Sequence, residues 1–77
     1  DNVEKKIVKT ETALHIRKMI DQLADDQREV IILRHYANLS FKEIANLTGS
    51  SINTSLGRMR YGLINLRKMM TENQIAA

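Results

Sequence analysis

The chain has 77 residues, enough for one small domain whose core is marginal, because a short chain buries a modest share of its surface. It contains no cysteine, no proline and only three glycines, which excludes disulfides and thiolate metal sites and leaves little to interrupt a helix. The net charge of +3 is uneven: residues 1–29 hold seven acids and six bases, whereas residues 30–77 hold six bases and two acids, with no acid between Glu43 and Glu72.

Four helical segments are predicted, giving an all-α, four-helix domain. The first runs from about Val3 to Leu23. Ala13, Ile16, Ile20 and Leu23 form its clearest apolar stripe, and Val3, Ile7 and Leu14 are further apolar positions. Residues 1–12 read as a linker or as the start of this helix, and residues 13–72 as the domain itself. The second segment runs from about Asp25 to Ala37. Asp25, Asp26 and Glu29 favour the helix dipole at its start. The unbroken run Val30-Ile31-Ile32-Leu33 fits a buried strand equally well when taken alone. The acidic start, the continuation through Tyr36 and Ala37, and Asn38 as a stop signal favour a buried helix.

The third segment is short, from Ser40 to about Thr48. Ser40-Phe41-Lys42-Glu43 fits a capping box, Phe41, Ile44, Ala45 and Leu47 give an apolar side, and Gly49 supplies the left-handed residue that ends the helix. The fourth starts at Ser51 as N-cap and runs to about Met70 or Thr71, with Ile52, Ser55 or Leu56, Met59, Leu63, Leu66 and Met70 as its stripe. Residues 73–77 read as a loose tail.

A short capped helix, a glycine turn and a longer helix make the outline of a helix-turn-helix. Ala45 must be small where the longer helix crosses it, and Ile44, Ile52 and Met59 are expected to close the core of the unit. The polar start of the last helix then faces outward, where a helix N-terminus suits phosphate and side chains reach base edges. Arg58 can pair bidentately with guanine and Asn53 with adenine. Thr54 and Ser55 suit phosphate or a base edge, and Arg60, Arg67 and Lys68 suit phosphates. Ser51, Gly57, Tyr61 and Lys42 complete the candidate DNA-facing set. Each has a plainer reading: Arg58 as a solvated charge, Asn53 as a helix-start residue, Arg67 and Lys68 as partners of the C-terminal dipole.

The run Arg28-Glu29-Val30-Ile31-Ile32-Leu33-Arg34-His35-Tyr36, then Leu39-Ser40-Phe41-Lys42-Glu43-Ile44-Ala45, then Thr54, Arg58 and Leu66-Arg67-Lys68, resembles region 4 of bacterial sigma factors, nearest to the extracytoplasmic-function branch of the sigma-70 family. The resemblance covers about Leu23 to Lys68. It implies a helical bundle related to winged-helix domains that binds the −35 element of promoters within RNA polymerase holoenzyme in the bacterial cytoplasm. It also implies docking on the flap of the polymerase β subunit and masking by an anti-sigma factor. The chain would then be the C-terminal domain of a longer protein. Four positions depart from the family pattern, which has apolar residues where Ser50 and Ser55 stand, often a lysine at Leu56 and a serine at Gly57. Leu56 is expected to turn inward over the space left by Ser55, a contact with a thymine methyl being the other reading. Gly57 lowers local helix stability by about 1 kcal/mol relative to Ala. It either admits the phosphate backbone closely or has no role.

An enzyme is not expected. His15 and His35 lie on different segments, and no nucleophile–base–orienter set can be assembled. The methionines are most simply packing residues. No cofactor, metal, small-molecule substrate or membrane partner is expected, since no apolar run approaches the ~20 residues of a span. Two other readings are the output domain of a two-component or quorum-type regulator, which dimerises through its last helix, and a module that works mainly through protein contact.

Overall fold

The computed structural model describes residues 2–73, with side-chain surroundings from residue 11 onward. Helix α1 spans Asn2–Ile20, α2 Asp25–Ile31, α3 Phe41–Thr48 and α4 Ile52–Glu72, and a π-helical turn at Ile32–Tyr36 continues α2. The described residues contain no strand. Val3 and Ile7 fall among side chains outside this description, as do residues 74–77 of the expected tail. Asn73, the first residue of that segment, is the C-cap of α4, its side-chain amide donating to the Met69 carbonyl at 2.8 Å.

Helix α1 stops three residues short of the expected end. Leu23 follows it in a turn and is nevertheless buried, with Met19 and Ile20. Ala13 is exposed rather than part of the stripe, because the core reaches no further along α1 than Ile16. Arg28 steadies the start of α2, reaching the Asp25 carboxylate at 2.8 Å and the Asp21 carbonyl at 3.3 Å.

The apolar run of α2 is helical. Four consecutive residues at ~100° each cover too much of a helix's circumference for one face to bury them all. Val30 and Ile31 are therefore buried, and Ile32 and Leu33 half-buried. The π turn closes with the Ala37 amide donating to the Ile32 carbonyl at 3.1 Å. Asn38, at φ 60°, then ends it. The connection to α3 is tied by the Leu39 amide on the Leu33 carbonyl at 3.0 Å and by Arg34, which donates to the Leu39 carbonyl at 3.0 Å and lies over the Phe41 ring.

The capping box of α3 is complete: the Glu43 amide donates to Ser40 Oγ at 3.1 Å, and the Ser40 amide donates to Glu43 Oε1 at 3.1 Å. Those bonds hold the Glu43 carboxyl below its usual range. Gly49 ends α3 at φ 65°.

The core is built from Met19, Ile20, Leu23, Val30, Ile31, Ile44 and Leu66. Helix α4 crosses α2 where it carries Gly62. A Cβ there would stand 2.8 Å from Ile31 Cδ1 and 3.3 Å from Gln27 Cβ, so the helices approach closely at this glycine and a larger residue would make the Ile31 side chain and Gln27 give way. One turn on, the Asn65 amide donates to Gln27 Oε1 at 3.0 Å across the same seam.

Gly62→Leu should lower the free energy of unfolding by about 1–3 kcal/mol in urea titrations, the usual cost of overpacking. Ser40→Ala should cost about 1 kcal/mol and return the Glu43 titration midpoint, followed by NMR, towards that of a free glutamate. Because the folded Glu43 carboxyl is lowered, its contribution is complete above the ordinary carboxylate value and is lost as pH falls through the lowered one. Glu43→Gln should remove that part of the acid sensitivity.

Candidate nucleic-acid interface

The site depends on how α4 is rotated about its own axis. Ser55, Gly62 and Leu66 are its buried residues, and at ~100° per residue they share one narrow sector. Asn53, Thr54, Arg60, Tyr61, Arg67 and Lys68 are all exposed, on the far side or on its edges, and Lys42 is exposed on the first turn of α3. None of Lys42, Arg60, Arg67 and Lys68 forms an ion pair among the described residues. Four cations are thus free to meet a polyanion.

Ser51 caps α4 as expected. Its hydroxyl accepts the Thr54 amide at 3.0 Å and donates to Thr54 Oγ1 at 2.9 Å. The Ser51 hydrogen is therefore committed to Thr54, and the Thr54 hydroxyl keeps its own hydrogen to donate outward.

Ser55 is not a DNA-facing residue. It is 1% exposed and lies under the turn, where hydroxyls form a chain. Thr48 Oγ1 donates to the Ile44 carbonyl at 2.8 Å, Thr48 and Ser50 share a bond of 2.8 Å, and Ser50 and Ser55 share one of 3.3 Å. Among the described residues no buried side-chain polar atom lacks a partner. The hydroxyls of Ser50 and Ser55 are thus bonded within the turn rather than left unpaired.

Burying Ser55 sends its neighbour the other way. Leu56 is 44% exposed, so the inward packing expected for it does not occur. Ile52, expected in the core of the unit, is also exposed, as is Leu47 on α3, while Met59 does pack against the core. Ala45 is buried where the helices cross, as its size suggested.

Arg58, the expected guanine reader, is half-buried and turned towards α2. Its Nε lies 3.5 Å from Asp26 Oδ2. Arg58, Gly62 and Asn65 follow one edge of α4 at i, i+4 and i+7, against Asp26, Gln27 and Ile31 of α2. Sequence reasoning missed this seam. Gly62 carried a signal, a glycine inside a helical pattern, but nothing in the spacing alone ties Arg58 to Asp26.

Gly57 differs from Gly62. A Cβ added to it would meet nothing within 4 Å. The fold does not require that glycine, although it weakens the helix.

A capped, glycine-turned helix pair with a free basic face defines a helix-turn-helix DNA-binding domain. Comparison with known families makes the class narrower. Residues 13–55 match the family model described as sigma-70, region 4, and the chain belongs to that family. It is also 39% identical over 70 residues to the RNA polymerase sigma factor YlaC of Bacillus subtilis (strain 168), a match that takes in 87% of this chain and 37% of that protein. The chain therefore spans little more than a third of the length of this curated relative. No solved structure gave a significant match. The family match stops at Ser55, one residue before Leu56.

Gly57→Ala should raise the free energy of unfolding by about 1 kcal/mol, in contrast to any enlargement of Gly62. The Arg58–Asp26 contact, partly open to solvent, should show a coupling of at most about 1 kcal/mol in a double-mutant cycle of Arg58→Ala and Asp26→Ala. A coupling of zero would mean that Arg58 is free to leave α2.

Proposed function

We propose that this chain is the C-terminal, −35-reading domain of a sigma factor of the extracytoplasmic-function type, which directs RNA polymerase to promoters in the bacterial cytoplasm. The observation that carries this reading is the rotational setting of α4. It turns Asn53, Arg60, Arg67 and Lys68 away from the core of a chain whose family is that of sigma region 4. Asn53, in the first turn, is the candidate for adenine. Arg60, Arg67, Lys68 and Lys42 are the phosphate contacts, and Ser51, Thr54 and Tyr61 are polar contacts around the start of the helix. Arg58 acts as a positioning residue that holds α4 to α2.

A second surface supports protein contacts. Ile16, Tyr36, Met59, Leu63 and Met70 line an apolar groove of about 280 Å³ between α1, the π turn and α4. A groove of this character suits the flap of the polymerase β subunit or an anti-sigma factor, and it lies apart from the outward face of α4. Among the described residues no helix is long and apolar enough to cross a membrane.

Fluorescence anisotropy of the chain on duplex DNA at varied salt tests the reading. With four phosphate contacts, log K should fall with log salt at a slope of about −3.6. Folded chain that binds no duplex at low salt would overturn it. Arg58→Ala should weaken preferred and random duplexes alike. A loss confined to the preferred site would restore Arg58 as a base reader.

A further inference from the structure

We infer that Leu56 is a specificity-determining residue that reads the 5-methyl group of a thymine, with Gly57 beside it as the bare patch of helix that lets it reach the base. The inference rests on the proposed DNA-binding role of α4 and adds the chemical group that this particular chain selects.

Three observations carry it. First, the buried place next to Leu56 is taken by a serine. Burial normally favours the leucine, since a buried apolar side chain is stabilising and a buried hydroxyl needs a partner. Here Ser55 is 1% exposed and joined to Ser50, while Leu56 stands 44% exposed. The paired serines therefore hold the leucine out.

Second, the exposed leucine has specific neighbours. On a helix its nearest surface neighbours are three and four residues away: the exposed Asn53 and Arg60 towards the outward face of α4, and the exposed Ile52 and half-buried Met59 towards the core side. An apolar side chain placed between an amide suited to adenine and a cation suited to phosphate matches what an A·T pair offers in the major groove: the adenine edge and the thymine methyl. A lysine at this place would offer charge alone.

Third, Gly57 has no structural cause within the fold. Nothing lies within 4 Å of where its Cβ would be, and it sits on the side of α4 opposite Ser55. A missing side chain there lowers the height of the helix surface next to Leu56, so that backbone and phosphate can come together.

The test begins with selection of a preferred duplex from a randomised pool by the 77-residue chain. Each thymine of that duplex is then replaced in turn by deoxyuridine, which removes only the methyl group. One replacement should weaken binding by about fourfold, the size of one buried methyl-sized group. Leu56→Ala should bind the thymine and deoxyuridine duplexes equally, and Leu56→Met should keep most of the discrimination. Leu56→Asn should lose it. Circular dichroism checks that each variant keeps its helix content. Gly57→Ala should weaken both duplexes while leaving the chain no less stable.

A selected duplex whose binding is indifferent to every methyl group would overturn the role of Leu56 and leave the DNA-binding reading intact. So would a methyl effect that survives Leu56→Ala. A pool from which no duplex is enriched would overturn the DNA-binding reading itself, and this inference with it.

Discussion

The close crossing of α4 over α2 at Gly62 is the contact on which the rest of the molecule depends. With no side chain there, α4 settles against Ile31 and Gln27, and its rotation about its own axis is fixed at that point. A second point, Ser55 under the turn, fixes it nearer the N-terminus. Both contacts lie in one narrow sector of α4 and set the face that it turns inward. Which side chains of α4 face outward is a consequence of those two contacts. The ion pair of Arg58 with Asp26 and the bond of Asn65 to Gln27 follow the same seam, and they contribute modestly because both are partly exposed.

The turn of the helix-turn-helix shows a different solution from an apolar plug. Ser50 and Ser55, with Thr48, carry their polarity into a half-buried place and satisfy it there among themselves and on the Ile44 carbonyl. Such a pair is coupled. Removal of the Ser50 hydroxyl leaves Ser55 short of its side-chain partner, while Ser50 keeps Thr48 when the Ser55 hydroxyl is removed, and replacement of both serines by apolar groups of similar shape costs less than the loss of Ser50 alone. The outward consequence is larger than the inward one, because the residue next to a buried serine is turned to solvent. Leu56 therefore belongs to the outer surface of α4, and the basic face has an apolar element within it.

Much of this was legible in the sequence. The Ser40-to-Glu43 spacing and Gly49 marked α3 to the residue, since capping chemistry is local. Ser51 marked the start of α4 for the same reason. The strand-or-helix ambiguity of Val30 to Leu33 was resolved correctly by its flanks, but the π turn within it was not legible, because the choice between i+4 and i+5 bonding is made by packing. The face of α4 was read less well. Periodicity alone cannot choose between Ser55 and Leu56, which lie ~100° apart, and a preference for the larger apolar residue gave the wrong one. The contact of Arg58 with Asp26 was not legible, because that partner lies on another helix.

The account is most directly tested by ¹H–¹⁵N and methyl NMR mapping of the chain during titration with its selected duplex. The rotational setting described above requires the largest changes at Asn53, Thr54, Leu56, Gly57 and Arg60, including the Leu56 methyl resonances, with the Leu63 and Met70 methyls in the apolar groove almost unmoved. Changes centred on that groove, with the start of α4 unaffected, would contradict it.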